Sequence, residues 1–292
     1  MGRYDEAASV FRNPDLQGWY FHRQRYDLSL LRADETGAKI ELKWMEENAA
    51  DPMTVGTLAR LDLLAGKVSQ ARQRAEHASN IAAQSGRKEV AALQLLHQAI
   101  GDALVGESAS AHKAVATALK LAGEREKDAQ AAFVLALSGD TAQAKQIIDR
   151  VVRENPSDTL LTGVDAPVVL ASIELQHSNA SAAVRILEAA RPYEFGIRAE
   201  FLPTYVRGLA YLQERNPNQA ATEFQSVLDH RGVAPVSVVW VLSQLGLARA
   251  DAIAGDTNKA RSAYEHFFRS WENADPDIPI LKQAKAEYAK LK

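Results

Sequence analysis

An alanine, a glycine seven residues later and a second alanine five residues beyond it recur four times in this chain: Ala59/Gly66/Ala71, Ala99/Gly106/Ala111, Ala132/Gly139/Ala144 and Ala248/Gly255/Ala260. Chance at this composition accounts for about half an occurrence, so the spacing reports a repeat. Its physical content is a pair of helices that approach through small side chains and turn on a glycine. One such pair buries little surface alone, whereas stacked pairs bury a continuous core. The expected architecture is therefore an α-solenoid, a kind of object that binds more often than it catalyses.

The bulk properties narrow the function classes. The net charge is −3 with 24% charged residues, which lacks the basic excess of a nucleic-acid binder. There is no cysteine, so disulfides, thiolate nucleophiles and cysteine-ligated zinc are excluded. No apolar run reaches the roughly 18 residues that a membrane-crossing helix needs, so no membrane insertion by this chain is expected. The opening residues Met1 to Glu6 are not those of a signal peptide.

The clearest unit runs from Asp128 to Pro156. A first helix with Ala132 and Leu135 stops at Ser138-Gly139. Asp140 or Thr141 caps a second helix with Ala144, Ile148 and Val151, and Asn155-Pro156 ends it. This pattern resembles the tetratricopeptide repeat (TPR), a 34-residue helix-turn-helix family with preferred residues at positions 8, 11, 15, 20, 24, 27 and 32. Ala132, Gly139, Ala144, Ile148, Val151 and Pro156 fall at 8, 15, 20, 24, 27 and 32. Further copies carry Gly208, Tyr211, Ala220, Phe224 and Val227, then Ala248, Gly255, Ala260, Tyr264 and Phe267, and the units of Gly66 and Gly106. A degenerate copy has Ser178 where glycine is expected. Leu28, Leu31, Ile40, Trp44 and Pro52 fit a further upstream unit. Gly2, Tyr4, Ala7 and Phe11 read as the second half of a unit, as if the chain began partway through a longer array. The resemblance implies an all-α, right-handed superhelical solenoid over 1–292, with about seven helix pairs, a leading half-repeat and about sixteen helices. Residues 278–292 are expected to form a C-terminal capping helix, with Asp277 as its cap. The turns at 66, 106, 139, 178, 215 and 255 are unevenly spaced. Extra residues must therefore lengthen helices or loops, for example at 84–89 and 191–196.

Residues able to carry chemistry are scattered. The histidines form no HExxH and no pair four residues apart, and neither GxxxxGK[ST] nor GxGxxG occurs. Asp229-His230-Arg231 reads as a helix end with Gly232 as C-cap. Glu272, Asp275 and Asp277 suit helix capping better than a calcium loop. Asp62, Asp102 and Asp251 recur at repeat position 11. They are expected to pair with basic residues on a neighbouring helix, the alternative being a binding stripe. Trp19, Tyr20, Phe21 and Tyr26 form either the core of an imperfect unit or an aromatic ligand patch. No catalytic residue, cofactor or metal is expected.

The resemblance also implies which face binds, since first helices line the concave side of such arrays, partly through positions 5 and 9. Those positions give Arg60, Leu96, Ile100, Phe133, Val168, Tyr205, Leu209 and Arg249, an apolar groove with arginines towards both ends. It suits a protein or peptide segment that is apolar or amphipathic. The stretches from Tyr205 to Tyr211 and from Ala274 to Leu291 are similar to the C-terminal region of bacterial repeat proteins. Many of these are membrane-anchored serine/threonine protein kinases, chiefly acidobacterial. That resemblance implies a non-catalytic scaffold or sensor arm of a larger signalling protein, cytoplasmic, or extracytoplasmic if the anchor lies upstream. A small-ligand sensor and an enzyme with its site in the superhelix groove remain as alternatives.

Overall fold

The computed structural model describes residues 3–11, 13, 15–121 and 125–291; Met1, Gly2 and Lys292 lie outside the described residues. Among these residues there are sixteen α-helices and no strand. A leading helix α1 (Tyr4–Phe11) is followed by seven antiparallel pairs: α2 (Trp19–Leu31) with α3 (Glu35–Glu47), α4 (Pro52–Leu64) with α5 (Val68–Gln84), and α6 (Lys88–Leu104) with α7 (Ser108–Leu121). Then come α8 (Arg125–Leu137) with α9 (Thr141–Glu154), α10 (Ala166–Gln176) with α11 (Ala180–Leu187), α12 (Leu202–Gln213) with α13 (Pro217–Asp229), and α14 (Val238–Ala254) with α15 (Thr257–Ser270). Helix α16 (Pro279–Tyr288) closes the array. Consecutive helices pack on one another throughout, as an all-α solenoid requires.

The repeat spacing has a direct structural cause. Gly66, Gly106, Gly139 and Gly255 each end a first helix with φ between 74° and 92°, a left-handed conformation that glycine adopts without a Cβ clash. The same turn is made by Ser178 at φ 60° and Arg215 at φ 58°. In each case the next two amides turn back onto the last carbonyls of the helix; at Gly66 the bonds are Gly66 N to Leu63 O and Lys67 N to Asp62 O. The alanines seven before and five after the glycines let the paired helices touch, and Ala71, Ala99, Ala111, Ala132, Ala144, Ala248 and Ala260 are buried. Asp140 accepts from the Gln143 amide at 3.2 Å and so caps α9.

The first pair departs from the expected register. Its turn is at Ala33, φ 53°, two residues ahead of the expected position. The second helix is shifted accordingly. Met45 is 1% exposed and takes the core position, whereas Ile40 points outward at 61% exposed. Gly232 does not cap α13 either. His230 takes that place, its Nδ1 on the Ser226 carbonyl oxygen, and the chain runs on into a short 3-10 turn.

The array bends until its end meets its own start. Trp271 Nε1 donates to the Leu64 carbonyl at 3.1 Å, and the Asp275 and Ile280 amides donate to the Gly66 and Val105 carbonyls at 3.0 and 3.2 Å. The Asp275 carboxylate accepts from the Ser69 amide at 2.7 Å, so the 271–278 segment caps α5 from 206 residues away. A Cβ on Gly66 would sit 2.5 Å from Ala274 Cβ, so only glycine leaves room for this approach. One hydrophobic cluster accordingly joins Leu63, Val68 and Leu104 to Trp271, Ile278 and Leu281. Asp277 does not cap α16: Ile278 holds that position without a side-chain bond, and Asp277 pairs with Lys282 at 2.8 Å instead.

Candidate binding site in the closed interior

Bending brings the first helices of successive pairs around one interior space of about 440 Å³. Helix α4 contributes Arg60 and Leu63, α6 contributes His97, Ile100 and Leu104, and α8 contributes Gln130 and Phe133. The π turn at 161–165 and α10 add Val164, Asp165 and Val168, and Val236 to Val239 close the far side. His97 and Gln130 each stand three residues ahead of a wall residue, Ile100 and Phe133. They therefore share its helical face and bring polar groups into an apolar wall. The Gln130 Oε1 atom is buried without a hydrogen-bond partner.

The remaining wall comes from the extra residues between α11 and α12. After a 3-10 turn at Glu188–Tyr193, the chain crosses the interior as a strap over 194–201. Glu194 roots it, accepting from the buried Arg207 at 2.6 Å, while Arg207 also donates to Glu223 at 2.7 Å. Arg198 grips Asp165 through Nε and Nη2 at 3.1 and 2.5 Å. Glu200 reaches the opposite wall, where Arg60 Nη2 donates to it at 2.7 Å across 140 residues of sequence. Burial pushes the Glu200 carboxyl up, but Arg60, the neighbouring His97 and Arg23 together outweigh it and hold it below the usual range. Glu200 and Phe201 have φ of 42° and 68°, two successive left-handed residues that are not glycine. Such positions cost roughly 1–3 kcal/mol each and persist only where surrounding contacts enforce them. Here the Arg60 pair and the fully buried Phe201 ring do so. At the mouth, Leu160 is 43% and Ile197 85% exposed, while Phe195, two residues earlier on the strap, packs on the His230 ring at 4.5 Å.

Of the groove residues expected from the sequence, the structure brings Arg60, Ile100, Phe133 and Val168 together on this wall. The others lie elsewhere. Leu96 is fully buried between pairs. Tyr205 is 3% exposed with its ring edge-on to Phe224 at 5.8 Å, and burial raises its hydroxyl to about 12. Leu209 packs on the second core cluster. Arg249 is covered by α16 and donates to Glu287 at 2.9 Å, so it is no rim residue. The bend is tight enough that these positions face the next unit rather than the interior.

The acids at position 11 are mostly spent in structure: Asp62 lies 3.1 Å from Arg74, and Asp102 accepts from Arg72 and Gln98. Burial raises the Asp102 carboxyl despite these partners. Asp251 lies near Lys259. Of the N-terminal aromatics, Tyr20 is 52% exposed and packs edge-on against Trp19 and Phe21. No group of three or more His, Asp or Glu suited to a metal ion occurs among the described residues, and no helix among them is long and apolar enough to cross a membrane.

Fold and site together define an all-α solenoid of helix-turn-helix pairs closed around an internal space. Neither a protein-family model nor a curated protein matches the sequence. Among solved structures, the chain is similar to one in the APC/C hetero-tetramer Cut9-Hcn1, at 15% identity and a TM-score of 0.46, over 97% of this chain and 52% of that one. It is also similar to the TPR domain of P58(IPK), at 14% identity and a TM-score of 0.34, over 100% of this chain and 96% of that one. The chain thus spans about half the length of the Cut9-Hcn1 chain.

Proposed function

We propose that this chain is a non-catalytic protein-interaction module that captures an apolar or amphipathic segment of a partner at the mouth of its closed interior. The observation that carries this reading is the rim. Leu160 and Ile197 stand 43% and 85% exposed beside one apolar opening. Single exposed hydrophobics are ordinary, whereas neighbouring ones over an apolar recess mark contact surface. Arg60, Ile100, Phe133 and Val168 would line the partner's path, while Leu96, Tyr205, Leu209 and Arg249 hold the walls. The non-catalytic reading is supported by the interior's charged groups, since Arg60 is paired with Glu200 and Arg198 with Asp165. The net charge of −3 favours a protein over a nucleic acid. Residues 1–292 are read as one array with 278–292 as its cap. The resemblance of the last third to bacterial kinase-linked repeats supports placing it as an arm of a larger signalling protein.

The test is comparative capture from the source organism, followed by titration of the partner recovered. Leu160→Asp with Ile197→Asp should weaken binding by about 2 kcal/mol or more. Val10→Asp, at a residue 63% exposed that does not line the cavity, should leave it unchanged. A folded double variant that binds with wild-type affinity removes the mouth as the working surface.

A further inference from the structure

The interior is already occupied by a carboxylate, and that carboxylate belongs to the chain itself. Glu200 enters on the strap and is held by Arg60 at 2.7 Å, with His97 and Arg23 adding positive potential around it. Its side chain is still 35% exposed, so solvent reaches the pair. Next to this niche lies an apolar volume walled by Leu63, Ile100, Phe133 and Val168. At about 440 Å³ the interior is within the range of small-molecule pockets, and takes a hydrocarbon body of about ten carbons. The buried Gln130 Oε1, which lacks a partner, would accept one hydrogen bond from a hydroxyl or N–H on such a body.

From this juxtaposition we propose that the interior is a binding site for a small apolar monocarboxylate, whose carboxylate displaces Glu200 from Arg60. The exchange keeps one carboxylate on the guanidinium, while the displaced Glu200 turns towards solvent. Displacement releases the strap only at Glu200, whose left-handed backbone the Arg60 pair helps to hold, while Arg198 on Asp165 and Arg207 on Glu194 keep the rest in place. Glu200 therefore acts as a built-in competitor for Arg60. The site differs from the proposed partner rim in its chemistry, because it turns on the Arg60–Glu200 pair rather than on exposed apolar side chains.

The probes are decanoate, decanol, decyltrimethylammonium and a short peptide ending in an apolar residue with a free carboxylate, titrated calorimetrically into the full chain. Decanoate should bind one per chain, while decanol and the cation bind at least tenfold more weakly or not at all. Glu200→Gln should tighten decanoate about tenfold by removing the competitor, and Arg60→Met should abolish binding while circular dichroism stays helical. If Arg60→Met fails to fold, the Glu200→Gln result decides alone. Decanoate binding that Glu200→Gln leaves unchanged, or that decanol matches, overturns the proposal. Binding of the peptide in place of decanoate also overturns it, and assigns the niche to a protein C-terminus. Loss of partner capture in the Leu160→Asp and Ile197→Asp variant bears only on the rim.

Discussion

Arg207 allows the sharpest test of how the strap is held. Its side chain is fully buried, and its Nη2 donates to Glu194 at 2.6 Å and Glu223 at 2.7 Å, which are themselves buried. Its Nε and Nη1 atoms have no partner. The arginine therefore joins the root of the strap to α12 and α13 by charge rather than by a full set of hydrogen bonds. Arg207→Met keeps most of the volume but leaves Glu194 without a cation and Glu223 with only the half-exposed Arg191, 3.3 Å away. Breaking a buried ion pair in this way costs about 3–5 kcal/mol, because the remaining charges stay desolvated. At 292 residues that corresponds to a Tm lowered by about 5–8 °C. In a repeat array the loss is not spread evenly, so hydrogen exchange should rise first in 188–229 and only later in α4 to α7. The triple variant Arg207→Met with Glu194→Gln and Glu223→Gln should recover most of the stability, since no buried charge remains. Arg207→Met that costs less than about 1 kcal/mol, or a triple variant as unstable as the single, would show that the charges are not what holds the strap.

Three further outcomes follow from other contacts. Phe224 is wedged between two glycines, and a Cβ on Gly246 would lie 2.6 Å from its ring while one on Gly208 would lie 2.7 Å away. Gly246→Ala should therefore lose about 1–2 kcal/mol in thermal unfolding, because an overpacking cost of up to about 3 kcal/mol exceeds the helix-propensity gain of about 1 kcal/mol; a stabilised variant would mean the ring has room. The Glu200 carboxyl is lowered in the folded chain from its ordinary 4.5, so its contribution is fully present above that value and is lost as pH falls through the lowered folded value. Measured against their intrinsic rates, the 194–201 amides should lose protection below about pH 4.5, and Glu200→Gln should remove that dependence. Asp275→Ala removes the acceptor of the Ser69 amide and should cost about 1 kcal/mol with faster exchange at Ser69; unchanged exchange there would refute the remote cap.

The turns were legible because phase, not residue identity, marks them. Ser178 and Arg215 are poor left-handed residues, yet both adopt that conformation where the spacing from neighbouring glycines places it. The first pair misled for the complementary reason. Its turn residue is Ala33, which carries no sequence mark of a left-handed turn, so the apolar Ile40 and Trp44 set the register. Apolar residues alone cannot do so, since Ile40 is 61% exposed and Met45 is the buried one. The polar members of the interior wall were half legible. His97 and Gln130 follow from Ile100 and Phe133 by helical spacing, whereas Glu200 lies in a segment visible only as surplus length between the turns at 178 and 215.

Closure is the property no local pattern could carry, and it reassigns the expected groove. The pairs Trp271 with Leu64, Ser69 with Asp275 and Arg60 with Glu200 join residues 140 to 207 positions apart. Each is made possible by the accumulated bend of intervening pairs rather than by its own neighbourhood. An open solenoid would leave Arg249 at a rim, where it could meet acidic residues of a partner. In the closed one, the chain's own α16 supplies Glu287 to it. An open solenoid would likewise leave Arg60 free, whereas here the strap supplies Glu200. Two of the arginines that the sequence offers to a partner are thus already neutralised within the chain, by contacts of unequal strength. The Arg249 contact is reinforced, because Tyr264 also donates to Glu287 and Tyr288 packs on the Tyr264 ring. The Arg60 contact rests on one hydrogen bond to a residue with left-handed backbone on a strap whose tip is in solvent. Of the two, a ligand competing for an arginine displaces less structure at Arg60, and that end of the interior is where exchange with an outside carboxylate is favoured.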